Sequence, residues 1–273
     1  MPFLNALLTD TMRSLGLLTR LRVGARWFDG FAGRYDRAAR AFPVAGVVVG
    51  LLVAAVGLAS AAIGVPHAVA ALLAVATGIV VTGALHEDGL ADTADGLGGR
   101  DREARLAIMR DSATGAYGVL ALGIVVGLKT AALAALLAQP LASLTGIVAA
   151  CALARAGMVW LWRATPPARE DGAAVASGRP RRRSVRIAGA IAALAALPAA
   201  IVVGPWAATI ALASLGAVAA GLKRYSRRLG GHTGDLLGAC VLLGEVAVLV
   251  GLTVGLPAAG LAVVPIPPDM VSR

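Results

Sequence analysis

Apolar residues run along this chain in long blocks separated by short polar breaks, and the blocks have the length of a bilayer crossing. Seven are read as helices, over about 42–63, 67–85, 116–138, 141–162, 187–203, 206–222 and 236–255, the last with an apolar tail to Val264. Each approaches the roughly 20 residues that an α-helix needs to cross the hydrocarbon core. Gly64-Val65-Pro66, Gln139-Pro140 and Gly204-Pro205 separate neighbouring blocks, and such residues end helices. Before residue 42 the pattern changes. Phe3, Leu4, Leu7, Leu8, Met12, Leu15 and Leu18 recur at three- and four-residue steps, the stripe of an amphipathic helix lying on a membrane surface. Asp10, Arg13 and Arg20 interrupt this stretch, which argues against a cleaved secretory leader.

Composition supports the same picture. The 273 residues are 58% hydrophobic and 15% charged, whereas a soluble domain carries about 25% charge. The expected fold is an all-α polytopic membrane bundle of about seven transmembrane helices, preceded by an interfacial helix. We read 1–273 as a single membrane domain, with 1–41 as the cytoplasmic and interfacial segment, 42–264 as the bundle and 86–115 as a cytoplasmic acidic segment. Cys151 and Cys240 both lie in apolar runs, a setting for small core residues rather than disulfides or metal ligands.

Net charge is +10, which in a soluble protein would point to nucleic acid. Here the positions of the charges decide otherwise. Twenty-two of the 25 Lys and Arg lie in segments 1–41, 86–115, 163–186 and 223–235. The alternate connections 64–66, 139–140 and 204–205 hold none. This alternation follows the positive-inside rule, with the N-terminus in the cytoplasm and the C-terminus outside. The basic charge is therefore a matter of topology, the partner is the lipid bilayer, and no nucleic acid is expected.

One polar segment breaks the pattern. LHEDGLADTADGLGGR (85–100) and the next residue hold Glu87, Asp88, Asp92, Asp95 and Asp101, a third of the chain's 15 acids. Asp88, Asp92 and Asp95 are spaced i, i+4, i+7, so a helix places them on one face. Like charges so arranged call for a counterion, and carboxylate oxygens suit Mg²⁺ or Mn²⁺. Gly89, Gly96, Gly98 and Gly99 thin the surface beside them, leaving room for a phosphate ligand. Carboxylates of this kind point to attack on a phosphate, the cation offsetting charge and a spare carboxylate accepting a proton. Asp88, Asp92 and Asp95 are the expected metal ligands.

Other positions carry two readings each. Glu87 is a fourth ligand or a base, and His86 a substrate contact or an interfacial group. Arg110 is a phosphate clamp or a positive-inside anchor; Asp111 joins the site or caps the third helix. Lys129 and Arg155 fall inside spans, where charge is costly and faces an interior or cavity. Glu245 is the expected partner of Lys129, and Arg155 is read as a contact for a substrate phosphate or amide. Thr233 and Asp235 cap the last helix or contact substrate, Asp235 is also read as a metal or nucleophile-side ligand, and Arg169 is a weaker phosphate contact.

HEDGLADTADGLGG (86–99), followed by IMRDSATGAYG (108–118), resembles the cobalamin synthase family, the adenosylcobinamide-GDP ribazoletransferases. LLTRLRV (17–23), FPVAGVVVG (42–50) and GGHTGDLLGA (230–239) with Glu245 continue the likeness in order. Ala113 stands where the family often has a basic residue, and Arg22 where it often has Pro. The resemblance implies a Mg²⁺-dependent enzyme of a bacterial inner membrane, working at the cytoplasmic face. It would join adenosylcobinamide-GDP to α-ribazole or its 5′-phosphate, releasing GMP, with corrinoid as substrate rather than cofactor; an oligomeric form is compatible with this. The run Asp88-Gly89-Leu90-Ala91-Asp92 is also similar to the start of the CDP-alcohol phosphotransferase motif, whose continuation it does not match, and a phospholipid-making transferase is the alternative. A transporter is disfavoured because the polar residues gather at one side instead of along a path across the bilayer.

Overall fold

A computed structural model describes residues 2–170, 173–254 and 256. Among them eleven α-helices follow one another: α1 (Pro2–Leu18), α2 (Phe42–Ala62), α3 (His67–Thr82), α4 (Leu85–Asp95), α5 (Arg102–Ile108), α6 (Ala116–Leu137), α7 (Pro140–Ala164), α8 (Ala173–Ala176), α9 (Arg182–Val203), α10 (Pro205–Leu229) and α11 (Gly234–Thr253). No strand forms among these residues beyond one isolated bridge, Pro167 to His232. Six helices are long and apolar enough to cross a membrane, α2, α6, α7, α9, α10 and α11; α3 and α4 together make a seventh if that bent pair is one span. The chain is thus an all-α polytopic membrane bundle. The expected tail beyond residue 256 lies outside the described residues.

Two expected boundaries shift. The helix expected at 187 starts at Arg182, and the one expected to stop at 222 runs on to Leu229. Hydropathy marks where the hydrocarbon ends, whereas helical hydrogen bonding continues through charged turns into the headgroup region.

The larger departure is at the expected second span. α3 stops at Thr82, and α4 leaves at 91°. Gly83 (φ 65) and Ala84 (φ 58) are both left-handed, which a right-handed helix cannot continue. A left-handed alanine carries steric cost and is held here by its neighbours. The Ala84 amide donates to Ile79 O at 2.9 Å, and the Arg20 amide donates to Val81 O at 2.7 Å. The segment after α1 therefore braces the corner.

Packing follows small residues. A side chain at Gly46 on α2 would strike the Cys151 carbonyl of α7, and one at Gly50 would sit 2.9 Å from Val148 Cα. Such close approach is how membrane helices gain dispersion contact without a hydrophobic driving force between them. α7 packs on α2, α9 and α11, and α11 also touches α4, α6 and α10, which makes it the central helix. α9 and α10 instead expose Leu194, Leu197, Ile201 and Leu212 outward.

One polar group ties the core together. Glu245 of α11 accepts from Lys129 Nζ of α6 at 2.6 Å and from Arg155 Nη1 of α7 at 2.8 Å. All three side chains are buried. The expected Lys129–Glu245 pair is present. Arg155 shares the same carboxylate and also donates to Cys151 O at 2.9 Å, so it is packed inside the bundle.

Glu245→Gln leaves two buried cations without their anion. Breaking a buried pair in this way costs about 3–5 kcal/mol. The variant is expected to melt well below the parent in detergent, measured by static light scattering or intrinsic fluorescence on heating.

Candidate active site

α4 carries the acidic motif, and its contact with α11 sets the geometry. Glu87 and Asp88 occupy its first turn, where the positive end of the helix dipole favours carboxylates. A side chain at Gly89 would lie 2.7 Å from Asp235 O, and one at Gly238 would lie 3.2 Å from Leu85 O. The backbones of α4 and α11 are thus nearly in contact. The glycines expected to open a path for phosphate mostly do something else. Gly89 faces α11, Gly96 faces Met109 and Tyr225, and Gly99 faces Arg105. Only Gly98 of the four is exposed.

The three aspartates divide. Asp88 is exposed, Asp92 is half-buried and Asp95 is buried. Asp95 accepts from the Gly115 amide at 2.7 Å and the Gly118 amide at 2.9 Å, using both oxygens. It therefore caps the start of α6, the task expected of Asp111. A side chain at Gly115 or Gly118 would collide with the Asp95 carboxylate, which explains why the second motif carries glycine there. Asp111 stands exposed and closes only a local turn, accepting from the Ala113 amide at 3.0 Å. Arg110 is exposed beside it.

Asp235, at the start of α11, joins the outer pair. Asp92 feels the charges of Asp235, Asp88 and Asp95, with Arg169 opposing. Asp235 in turn feels Asp88 and Arg169. Thr233 caps α11 through the Leu236 amide at 3.1 Å, as expected, and so fixes the first turn on which Asp235 sits. Among the described residues no three of His, Cys, Asp and Glu are gathered closely enough to hold a metal ion unaided. The outer donor set, Asp88, Asp92 and Asp235, consists only of carboxylate oxygens. That chemistry suits Mg²⁺, which keeps several waters and uses one or two carboxylates together with substrate phosphates.

A pocket of about 280 Å³ opens beside these groups, with Asp88, Asp235 and His86 in its wall. The remaining wall is mainly apolar and includes Leu17, Leu18, Phe42, Met158 and Trp162. Phe42 and Trp162 are stacked, with centroids 6.1 Å apart and planes at 25°. Across Asp88 lies a second opening of about 350 Å³, lined by Thr19, Arg20 and the Gly83-Ala84 corner. Below α4 a third space of about 20 Å³ is lined by His86, Glu87, Lys129, Arg155 and Glu245. Both ring nitrogens of His86, Glu87 Oε2, and Arg155 Nε and Nη2 have no hydrogen-bond partner among the described residues. This volume admits one water molecule to bridge them. His86 and Glu87 thus join the acidic helix to the buried triad, and His86 also lines the outer pocket beside Asp88.

Sequence reasoning missed Arg20, Phe42 and Trp162 as site residues. Arg20 and Phe42 lie in the segments 17–23 and 42–50, whose only signal was resemblance. It also missed His232. That ring accepts no solvent contact of note, being 2% exposed. Its backbone bonds Pro166 O and the Ala168 amide, each at 2.8 Å, and Nδ1 lies 3.0 Å from Thr165 Oγ1. It latches the end of α7 to the turn that leads into α11. Burial depresses its pKa to about 4, so the latch holds a neutral ring.

Two expectations follow. Gly89→Val forces α4 off α11 and should cost about 1–3 kcal/mol as an overpacking change, with activity falling more than stability; melting temperature and turnover measured together test this. For His232 the folded pKa lies below the unfolded value near 6.5, so the unfolded chain takes up the proton first. Stability is complete above pH 6.5 and declines as pH falls toward 4. His232→Asn should flatten that decline in melting temperature between pH 6.5 and 4.

The family model described as cobalamin-5-phosphate synthase matches residues 10–253. A protein named adenosylcobinamide-GDP ribazoletransferase from Sinorhizobium sp is 44% identical over 256 residues, 91% of this chain and 97% of that one. The protein of the same name from Rhizobium meliloti (strain 1021) is 44% identical over 94% of this chain and all of its own. That from Bradyrhizobium diazoefficiens is 48% identical over 80% of this chain and 83% of its own. No solved structure matches. With a family model covering nearly the whole described chain, and relatives of this identity along their full length, the chain belongs to the cobalamin-5-phosphate synthase family.

Proposed function

We propose that the chain transfers the adenosylcobinamide-phosphate group of adenosylcobinamide-GDP to α-ribazole or its 5′-phosphate. The phosphoanhydride bond breaks, GMP leaves, and a ribose hydroxyl of the acceptor forms the new phosphodiester while losing its proton. Because the 5′-phosphate survives in the product of the phosphorylated acceptor, the attacking oxygen is a different ribose hydroxyl. The observation that carries this reading is that Asp88 and Asp235 line a largely apolar pocket, with Asp92 near enough to feel the charge of both. Phosphates belong at the carboxylate rim and a flat ring against the apolar wall.

Asp88, Asp92 and Asp235 would hold the Mg²⁺. When bound, the cation offsets charge on the phosphates and on the leaving group. The chain's own residues do the remaining work. Asp95 fixes the loop before α6, so the second motif keeps its place against α4. Arg169 and Arg20 flank the carboxylates and suit phosphate oxygens, which guanidinium groups bind by charge-assisted hydrogen bonds. Phe42 and Trp162 exclude water from one side. The arginine-rich segments, which alternate with uncharged connections, support a site at the cytoplasmic face of a bacterial inner membrane.

Asp88→Asn and Asp92→Asn should each lower turnover by at least about 10³-fold while the protein inserts and melts normally, since they alter charge at the reacting phosphate. Asp95→Asn should instead lower stability by about 1 kcal/mol through the lost cap. The assay supplies Mg²⁺, adenosylcobinamide-GDP and α-ribazole and follows GMP release. Near-normal activity of both outer variants would refute the assignment. CMP release from a CDP-alcohol, with no corrinoid product, would favour a phospholipid-type transferase.

A further inference from the structure

A second polar cavity lies at the same end of the bundle and takes no part in the site above. It measures about 400 Å³ and is lined by Arg37, Arg40, Arg181 and Arg183, with Ala6 and Ile187 as its apolar contacts. Arg40 precedes by two residues the Phe42 that lines the substrate pocket, so the two cavities flank the start of α2. The charges do not cancel. Asp10 takes Arg40 at 2.7 Å and Arg37 at 3.6 Å, and Asp36 takes Arg181 at 3.6 Å. Three guanidinium groups thus share two carboxylates, and Arg183 adds a fourth to the lining.

The wall is built rather than incidental. Arg40 and Asp10 are both more than nine-tenths buried. Ser184, also buried, donates to Asp36 O at 3.0 Å and pins the first turn of α9. That helix has no side-chain cap at its start, so its first amides and its dipole add to the positive field.

The flanks are apolar. α9 runs away from the cavity exposing Leu194, Leu197 and Ile201, and α1 exposes Leu4 and Leu8 on either side of Ala6. The cavity therefore sits where a bilayer-facing span emerges beside an amphipathic helix. That is the depth of lipid phosphates, and basic pockets beside transmembrane helices bind anionic headgroups there. The chemistry required is a phosphate anion, with an acyl-bearing glycerol fitting the apolar flanks.

We propose that this cavity binds the phosphate of an anionic phospholipid. The test uses the full chain purified in detergent with added phosphatidylglycerol or phosphatidylcholine, and native mass spectrometry counts the lipids retained. The parent should retain phosphatidylglycerol in preference. Arg181→Gln combined with Arg183→Gln should lower that retention by about tenfold to thirtyfold, the effect expected of two arginines near a headgroup, with phosphatidylcholine unchanged. Both side chains are on the surface, so helicity by circular dichroism should match the parent. If the double variant does not survive purification, Arg183→Glu alone gives the same reading. Unchanged phosphatidylglycerol retention in a folded variant would overturn the proposal. Millimolar inorganic phosphate, added without lipid, should neither displace phosphatidylglycerol nor raise the melting temperature. Equal protection by phosphate, lost in the variant, would overturn the lipid assignment in favour of a free phosphate ligand.

Discussion

The near-contact of two backbones, α4 across the start of α11, is the constraint on which the rest of the site depends. Gly89 and Gly238 permit it, since a side chain at either would press on the other helix. Only at that separation does Asp235 stand beside Asp88 and Asp92, two residues from one helix and one from another. The like charges resist the approach, so something must hold α4 in place. Several separate devices do so: the left-handed Gly83-Ala84 corner, the Arg20 amide on Val81 O, and Asp95 fastened to the first turn of α6. The acidic helix is clamped at both ends.

Beneath it the buried triad answers a different problem. Membrane helices gain little from hydrophobic contact with one another, and polar groups can set their register. Glu245 joins α6, α7 and α11 at one height, and the helices that carry it also surround α4. Two cations on one carboxylate leave surplus positive charge in the bundle. Glu87 and His86 face that surplus from above across the small cavity. The outer carboxylates thus rest on a floor of opposite sign, which lessens the cost of packing acids at the edge of an apolar bundle. His86 and Glu87 belong to this floor, and His86 links it to the outer pocket that Asp88 lines.

Much of this was legible in the sequence because it depends on local pattern. Apolar block length set the spans, alternation of arginine set the expected sides, and the only acid in the expected span 236–255 pointed to Lys129. What escaped depends on contacts between distant segments. The i, i+4, i+7 rule places Asp95 with Asp88 and Asp92 on one face, yet cannot see that α6 covers the far end of that face. Arg155 read as a substrate contact because an intramembrane charge suggests function, and one carboxylate serving two cations leaves no trace in spacing. The motif glycines suggested open surface, whereas most fill close helix contacts. Hydropathy could not show the 91° bend, since α3 and α4 differ in direction rather than in being helical. Arg20 reaches the site through a backbone bond 61 positions away in sequence, and no periodicity reports that.

The arrangement also explains why the carboxylates sit at the rim and not deeper. A ligand with two phosphates brings at least two negative charges, which cannot be taken into an apolar bundle without large desolvation cost. Under the proposed function, phosphates at the rim would stay hydrated while the pocket behind, walled by Phe42 and Trp162, would take an uncharged ring. An all-protein metal cage would be counterproductive there, because three carboxylates closing fully on an ion would leave fewer positions for substrate phosphate. Under the proposed transfer, an open set on two helices would leave the remaining positions to substrate phosphate oxygens. Carboxylates at the surface, an apolar wall behind them and a rigid helix between are three consequences of placing one short acidic helix across the end of one central span.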